Sequence, residues 1–135
     1  AMTSMVTLID YDHASERVRR VYDDIMATRK TNHVNNFWRA LAHDPETLEA
    51  VWGRMKRLLG SDSQGTLDPL TKELIYLAVS VSNGCEYCVR SHAAGAQRKG
   101  MTDAQYAEML AVVGLASETN RLAIGYQVPV DDSLR

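Results

Sequence analysis

The chain has few of the residues that punctuate or cross-link a fold. Of its 135 residues, three are proline, eight glycine, two cysteine and one phenylalanine. Two cysteines cannot build the multi-bridge framework of a small secreted domain, and a chain of this length can bury a core without one. Proline and glycine are sparse, and valine and isoleucine never alternate over more than a few residues. That argues against a sheet of short strands and tight turns. A dominant charge is missing too. The formal net charge is −2, which leaves no basic footprint for nucleic acid or for an anionic membrane. No apolar run approaches the roughly 18–20 residues that span a bilayer. The opening stretch, "AMTSMVTLIDYDH", has no basic segment followed by an apolar one, so no secretory leader is expected and a cytoplasmic location is. No phosphate-cradling glycine loop or dinucleotide fingerprint occurs, so no nicotinamide or flavin cofactor is expected.

What is present is helical pattern, and it predicts an all-α single domain over residues 1–135 with about six helices. Over residues 14–29, Val18, Val21, Tyr22, Ile25 and Met26 repeat at helical spacing with charges opposite. A polar break, "KTNHVNN", leads to a short helix around "FWRALAH". Asp44 then caps and Pro45 opens a helix with Leu48, Val51, Trp52, Met55, Leu58 and Leu59 on one face, closing at Gly60. Asp68 and Pro69 repeat that opening, followed by a stripe of Leu70, Leu74, Leu77, Ala78 and Val81 that ends at Asn83-Gly84. The next helix runs from about Cys85 to Lys99 and is stopped by Gly100. Thr102 and Gln105 form a capping box for a last helix through Tyr106, Met109, Leu110 and Val113. The final nine residues are a polar tail. Trp38, Trp52 and Phe37 read as core or subunit interface, and His13, His33 and His43 as solvent-facing or capping groups.

Both cysteines fall in "NGCEYCVRSH". In a reducing compartment a lone C-x-x-C is more often redox-active or metal-binding than structural. At about 100° per residue, Cys85, Cys88 and His92 lie within roughly 60° of arc, on a stripe shared or bordered by Val89, Ala93 and Ala96. Cys85 sits at the helix start, where unpaired backbone N–H groups favour a thiolate. His92 is four residues beyond Cys88, the spacing at which an imidazole can take a thiol proton. The two thiols can also close into a disulfide.

A carboxylate joins them by counting. If the helices on either side of Asn83-Gly84 form an antiparallel hairpin, Glu73 lies roughly 15 Å from the turn and His92 roughly 12 Å, at about 1.5 Å per residue. The two are nearly level. Glu73 flanks its helix's apolar stripe, and from there could orient His92 and raise its basicity. Tyr76 and Ser80 lie on the same side and could line the approach. The same residues could instead supply four zinc ligands. Structural zinc sites, however, usually draw on a second, distant pair, and the chain has no further cysteine, so no metal is expected. Inert thiols in an oligomeric scaffold are a further reading.

Glu73, eleven intervening residues and then "CEYCVRSH" resemble the signature of the alkylhydroperoxidase D-like superfamily, which also contains the carboxymuconolactone decarboxylases. The stretch similar to that family's core covers residues 67–110, and "HDPETLEAVW" resembles the helix that precedes it. The resemblance implies an all-helical fold with a central helical hairpin and a homo-oligomer, trimer or hexamer. It also implies reduction of a hydroperoxide substrate by a redox pair, Cys85 and Cys88, with Glu73 and His92 as proton relay. An external dithiol reductant would then reset the pair. Alkylhydroperoxidase D itself usually has a histidine between the cysteines; here Tyr87 stands there, which points to a different, peroxidase-related branch. The decarboxylases lack the cysteine pair, so its presence argues against lactone-acid chemistry, which stands as the alternative within the family. Cys88 is expected to attack because His92 is one turn away. The helix N-terminus favours the reverse assignment, to Cys85.

Overall fold

A computed structural model describes residues 4–135. The first three residues of the N-terminal stretch, on which the expectation of no leader partly rests, lie outside the described residues. Regular structure among the described residues is all helical, with six α-helices and two short 3-10 turns. None of the helices is long and apolar enough to cross a membrane. Two compact units divide the chain, Ala1–Thr66 and Leu67–Arg135.

In the first unit, Ser15 caps α1 (Glu16–Arg29), its Oγ accepting the Val18 N–H at 3.2 Å. The helix therefore begins two residues later than its periodicity suggests, because serine takes the cap position. Lys30 ends it in the left-handed region at φ 53°. After α2 (Asn36–Leu41), Asp44 caps α3 (Pro45–Leu59), its two carboxylate oxygens taking the backbone N–H and the hydroxyl of Thr47. Both α1 and α2 pack on α3. Between them lies an apolar core of Val18, Val21, Tyr22, Ile25, Val34, Trp38, Ala42, Leu48 and Trp52. Each large side chain fully buried there contributes about 1.5–3 kcal/mol. The two indoles meet edge to face at 5.3 Å between centroids, with the Arg29 guanidinium over both. Trp38 and Trp52 are thus core, whereas Phe37 stays more than a third exposed. His13 and His33 are exposed, and the His43 ring bonds the Thr7 carbonyl at 2.6 Å.

In the second unit, Asp68 caps α4 (Pro69–Asn83) through Thr71, and α5 (Glu86–Arg98) returns along it as the other arm of a hairpin. The turn between them is closed by two hydrogen bonds, Gly84 N–H to Val81 O and Cys85 N–H to Ser80 O. Gly84 sits at φ 70° and ψ 30°, a left-handed conformation that costs a residue with a Cβ more than it costs glycine. The Thr102–Gln105 capping box opens α6 (Asp103–Gly125) with both reciprocal bonds made. This helix packs on α4 and runs twelve residues past Val113, the last residue named in its predicted apolar pattern. Its apolar residues lie on all sides, so no single stripe marks its length.

One face of the second unit departs from the predicted pattern. Leu77 is fully buried, but its buried neighbours on α4 are Glu73 and Ser80, while Ile75 and Val79 are half exposed. The centre of the seam is therefore polar. What stabilises it there is the arrangement of α5.

Candidate active site

The local fold of the cysteine segment follows from its N-cap. Cys85 is the cap itself rather than the first helical residue, with extended φ −87° and ψ 92°. Its Sγ accepts the backbone N–H of Cys88 at 3.2 Å. One of the unpaired donors at the start of α5 is thus satisfied by sulfur. Cys85 and Cys88 are joined as a disulfide, their Cα atoms 5.3 Å apart, well within the range that such a bond requires. Tyr87 lies between them on the exposed side of the helix.

Glu73 and His92, level by count across the turn, are in contact. The His92 Nδ1 lies 2.8 Å from Glu73 Oε2, and both side chains are largely removed from solvent, 12% and 5% exposed. Tyr76, one turn beyond Glu73 on α4, stacks on the imidazole with ring centroids 3.6 Å apart and planes 21° off parallel. Ser80 is buried, but its hydroxyl donates to the Tyr76 carbonyl, an ordinary back-bond within the helix. It lines the seam without reaching the histidine by any hydrogen bond.

Two further residues belong to this cluster and were not singled out in the sequence. Lys99, at the C-terminal cap of α5, places Nζ 2.9 Å from Glu73 Oε1. Gly95 is buried against the same oxygen, and a Cβ there would lie 3.1 Å from it. The signal for both was available. Lys99 is seven residues beyond His92, two turns on and within about 20° of the same face, and Gly95 lies between them.

Burial pushes the Glu73 carboxyl up, but hydrogen bonds from His92 and from Lys99 pull it further down, leaving it below its ordinary value. The carboxylate is therefore ionised at neutral pH, with each oxygen matched to a donor. An ionised Glu73 accepts, so Nδ1 is the ring nitrogen that donates to it, and Nε2 is left as the basic one. The site thus pairs a disulfide at a helix start with an imidazole, oriented by Glu73, one turn beyond Cys88.

A cleft of about 570 Å³ adjoins the cysteines, lined by Val81, Cys85, Val89, Ala93, Met101 and Tyr106 among others. Cys85 borders it and Cys88 does not. Among the described residues, no three histidine, cysteine, aspartate or glutamate side chains are grouped so as to hold a metal ion.

Comparison with known proteins places these features in context. The profile of the carboxymuconolactone decarboxylase family matches residues 45–128. An uncharacterized protein of Cupriavidus necator is 36% identical over 88 residues, 64% of this chain and 74% of that protein. Uncharacterized protein 4 in the cox locus of Paracoccus denitrificans is 40% identical over 48 residues, 36% of this chain and 43% of its own length. Among solved structures, the alkylhydroperoxidase AhpD core of Rhodospirillum rubrum is 47% identical, covers 98% of each chain and superposes with a TM-score of 0.91.

Proposed function

We propose that this chain, which belongs to the carboxymuconolactone decarboxylase family, is a thiol-dependent peroxidase of the alkylhydroperoxidase type. The single observation that carries this reading is the Cys85–Cys88 disulfide one helical turn from an imidazole that Glu73 orients. Likeness to the alkylhydroperoxidase AhpD core supports it.

In the reduced protein, His92 Nε2 takes the proton of Cys88. The thiolate attacks the terminal oxygen of a hydroperoxide, the O–O bond breaks, and Cys88 becomes a sulfenic acid. The departing alkoxide takes the proton from His92 and leaves as an alcohol. Cys85 then displaces hydroxide from the Cys88 sulfur, forming the disulfide and releasing water. The Cys88 N–H that Cys85 Sγ accepts favours the thiolate needed for that step. An external dithiol closes the cycle. One of its thiolates attacks Cys85, the sulfur that borders the cleft, and Cys88 leaves as a thiolate on the His92 side. The second thiol of the donor resolves the mixed disulfide, so that the donor is oxidised and both cysteines are reduced.

Such a cycle fits a reducing, cytoplasmic setting. Apolar side chains left exposed along α6, with Val112, Leu115, Leu122 and Ile124 all about half exposed or more, support assembly into a homo-oligomer, for which the family resemblance implies a trimer or hexamer. Sedimentation of the full chain tests that point.

The chemistry is tested by adding one equivalent of hydroperoxide to the reduced protein. The expected result is loss of both free thiols, a mass lower by two hydrogens and one alcohol per peroxide. A sulfenic acid trapped in Cys85→Ser but not in Cys88→Ser identifies Cys88 as the attacking sulfur; the opposite pattern assigns attack to Cys85. Survival of both thiols in excess peroxide would sink the reading. Turnover of a carboxylactone by a variant without cysteines would instead favour the decarboxylase chemistry after which the family is named.

A further inference from the structure

We infer that Lys99 is a positioning residue of this site: its ammonium neutralises the Glu73 carboxylate from the side opposite His92, and so keeps the imidazole free of its second proton until a thiol supplies one. The inference rests on the reading of His92 as the base and assigns what keeps it unprotonated.

The argument begins with charge. A buried carboxylate whose only partner is an imidazole draws a proton onto the pair, because ion pairing favours the imidazolium. A histidine already protonated cannot accept the proton of Cys88. Glu73, however, has two oxygens and two partners. Oε2 faces His92 Nδ1 at 2.8 Å and Oε1 faces Lys99 Nζ at 2.9 Å. The lysine supplies the compensating positive charge, so the cluster is neutral with the imidazole uncharged. That balance leaves no unpaired negative charge to draw a second proton onto the ring.

The backbone is built for this contact. α5 ends with Gly100 N–H bonded to Gln97 O and Met101 N–H to Ala96 O, with Gly100 at φ 97°. That closure holds the Lys99 backbone at the last turn. Gly95, one turn earlier, has no side chain to occupy the space at Glu73 Oε1. The lysine side chain is 21% exposed and the glutamate 5%, so the contact is only partly screened by water. The groups facing His92 are Glu73 and the stacked Tyr76 from α4, and on α5 Cys88 lies one turn before it. Of these, Glu73 is the one charged at neutral pH, and Lys99 is its counter-charge.

The experiment reads the His92 ring by nitrogen NMR across pH in the full chain, assigned with His92→Gln, in the oxidised and reduced states and without peroxide. In Lys99→Met the His92 titration should move up by about one pH unit or more, and in Lys99→Arg it should return toward wild type. Lys99→Gln keeps a donor but not the charge, so it should follow Lys99→Met. The acid limb of the thiol alkylation rate of the reduced protein should rise with the ring titration. A folded Lys99→Met or Lys99→Gln protein whose His92 titrates as in wild type overturns the role of Lys99, even if melting falls. Should Lys99→Met not fold, Lys99→Gln decides alone. A shifted His92 in a protein that consumes no peroxide upholds Lys99 and removes the peroxidase reading instead.

Discussion

The two units bury different chemistry by similar means. In the first, α1, α2 and α3 enclose Tyr22, Ile25, Leu48 and two indoles, and charged groups stay at the rim. Asp24 accepts the Trp52 N–H at 2.8 Å there and is held below the ordinary aspartate range, chiefly by that bond. In the second, the hairpin of α4 and α5 buries Leu77 and Ala96 alongside Glu73, Ser80 and Gly95. A large apolar core tolerates polar partners at its edge, whereas the seam of small residues has space for a carboxylate at its centre. The difference shows where each unit is committed: the first to packing, the second to holding an ionised group out of water with its partners in place.

That contrast can be broken from either side. The largest effect is expected from Glu73→Gln, which keeps the shape but removes the charge that orients His92. Peroxide consumption should fall by about 10²–10⁴-fold with helicity unchanged by circular dichroism. Leu48→Ala makes the opposite cut. It should lower unfolding free energy in urea by about 2–5 kcal/mol while leaving the alkylation rate of the reduced cysteines near wild type. If cysteine reactivity falls with it, the division of labour is wrong.

Smaller effects sharpen the comparison. Gly95→Ala places a methyl group 3.1 Å from Glu73 Oε1 and should destabilise by about 1–3 kcal/mol, with peroxide consumption falling alongside the melting temperature. The smallest effect is a pH dependence. The folded Glu73 carboxyl lies below its ordinary value of 4.5. Its contribution to stability is therefore complete above about that pH and is lost as pH falls through the folded value. Asp24, below 3.8, behaves likewise but over a lower range. Urea midpoints measured downward from neutral pH should begin to fall near 4.5, and Glu73→Gln should shrink that first decline, leaving the part due to the exposed Glu49–Arg17 pair, while Asp24→Asn leaves it unchanged.

Much of this is legible in the sequence. Asp44-Pro45, Asp68-Pro69, Asn83-Gly84 and Thr102 with Gln105 mark helix ends because the chemistry of caps is local, and each marks one here. Helical rise alone put Glu73 level with His92, since a hairpin with a tight turn leaves little freedom in register. Lys99 follows from the same periodicity, two turns beyond His92, although its place at the end of α5 reads first as a helix end. The length of α6 was not legible from amphipathicity, because its apolar residues do not keep to one face. Phe37 could not be assigned between core and surface from its spacing.

By itself the sequence determined the helices, their order and the placing of Cys88 and His92 one turn apart on α5, because these depend on residues a few positions apart. The tertiary structure alone decided that Glu73 is buried at the centre of its helix's packed face rather than at its margin. It also decided that the second carboxylate oxygen is taken by Lys99 across the space left at Gly95. The physical reason is desolvation. A glutamate on the flank of an apolar stripe stays in water unless donors from another helix compensate its charge, and those donors exist only once α5 has folded back along α4.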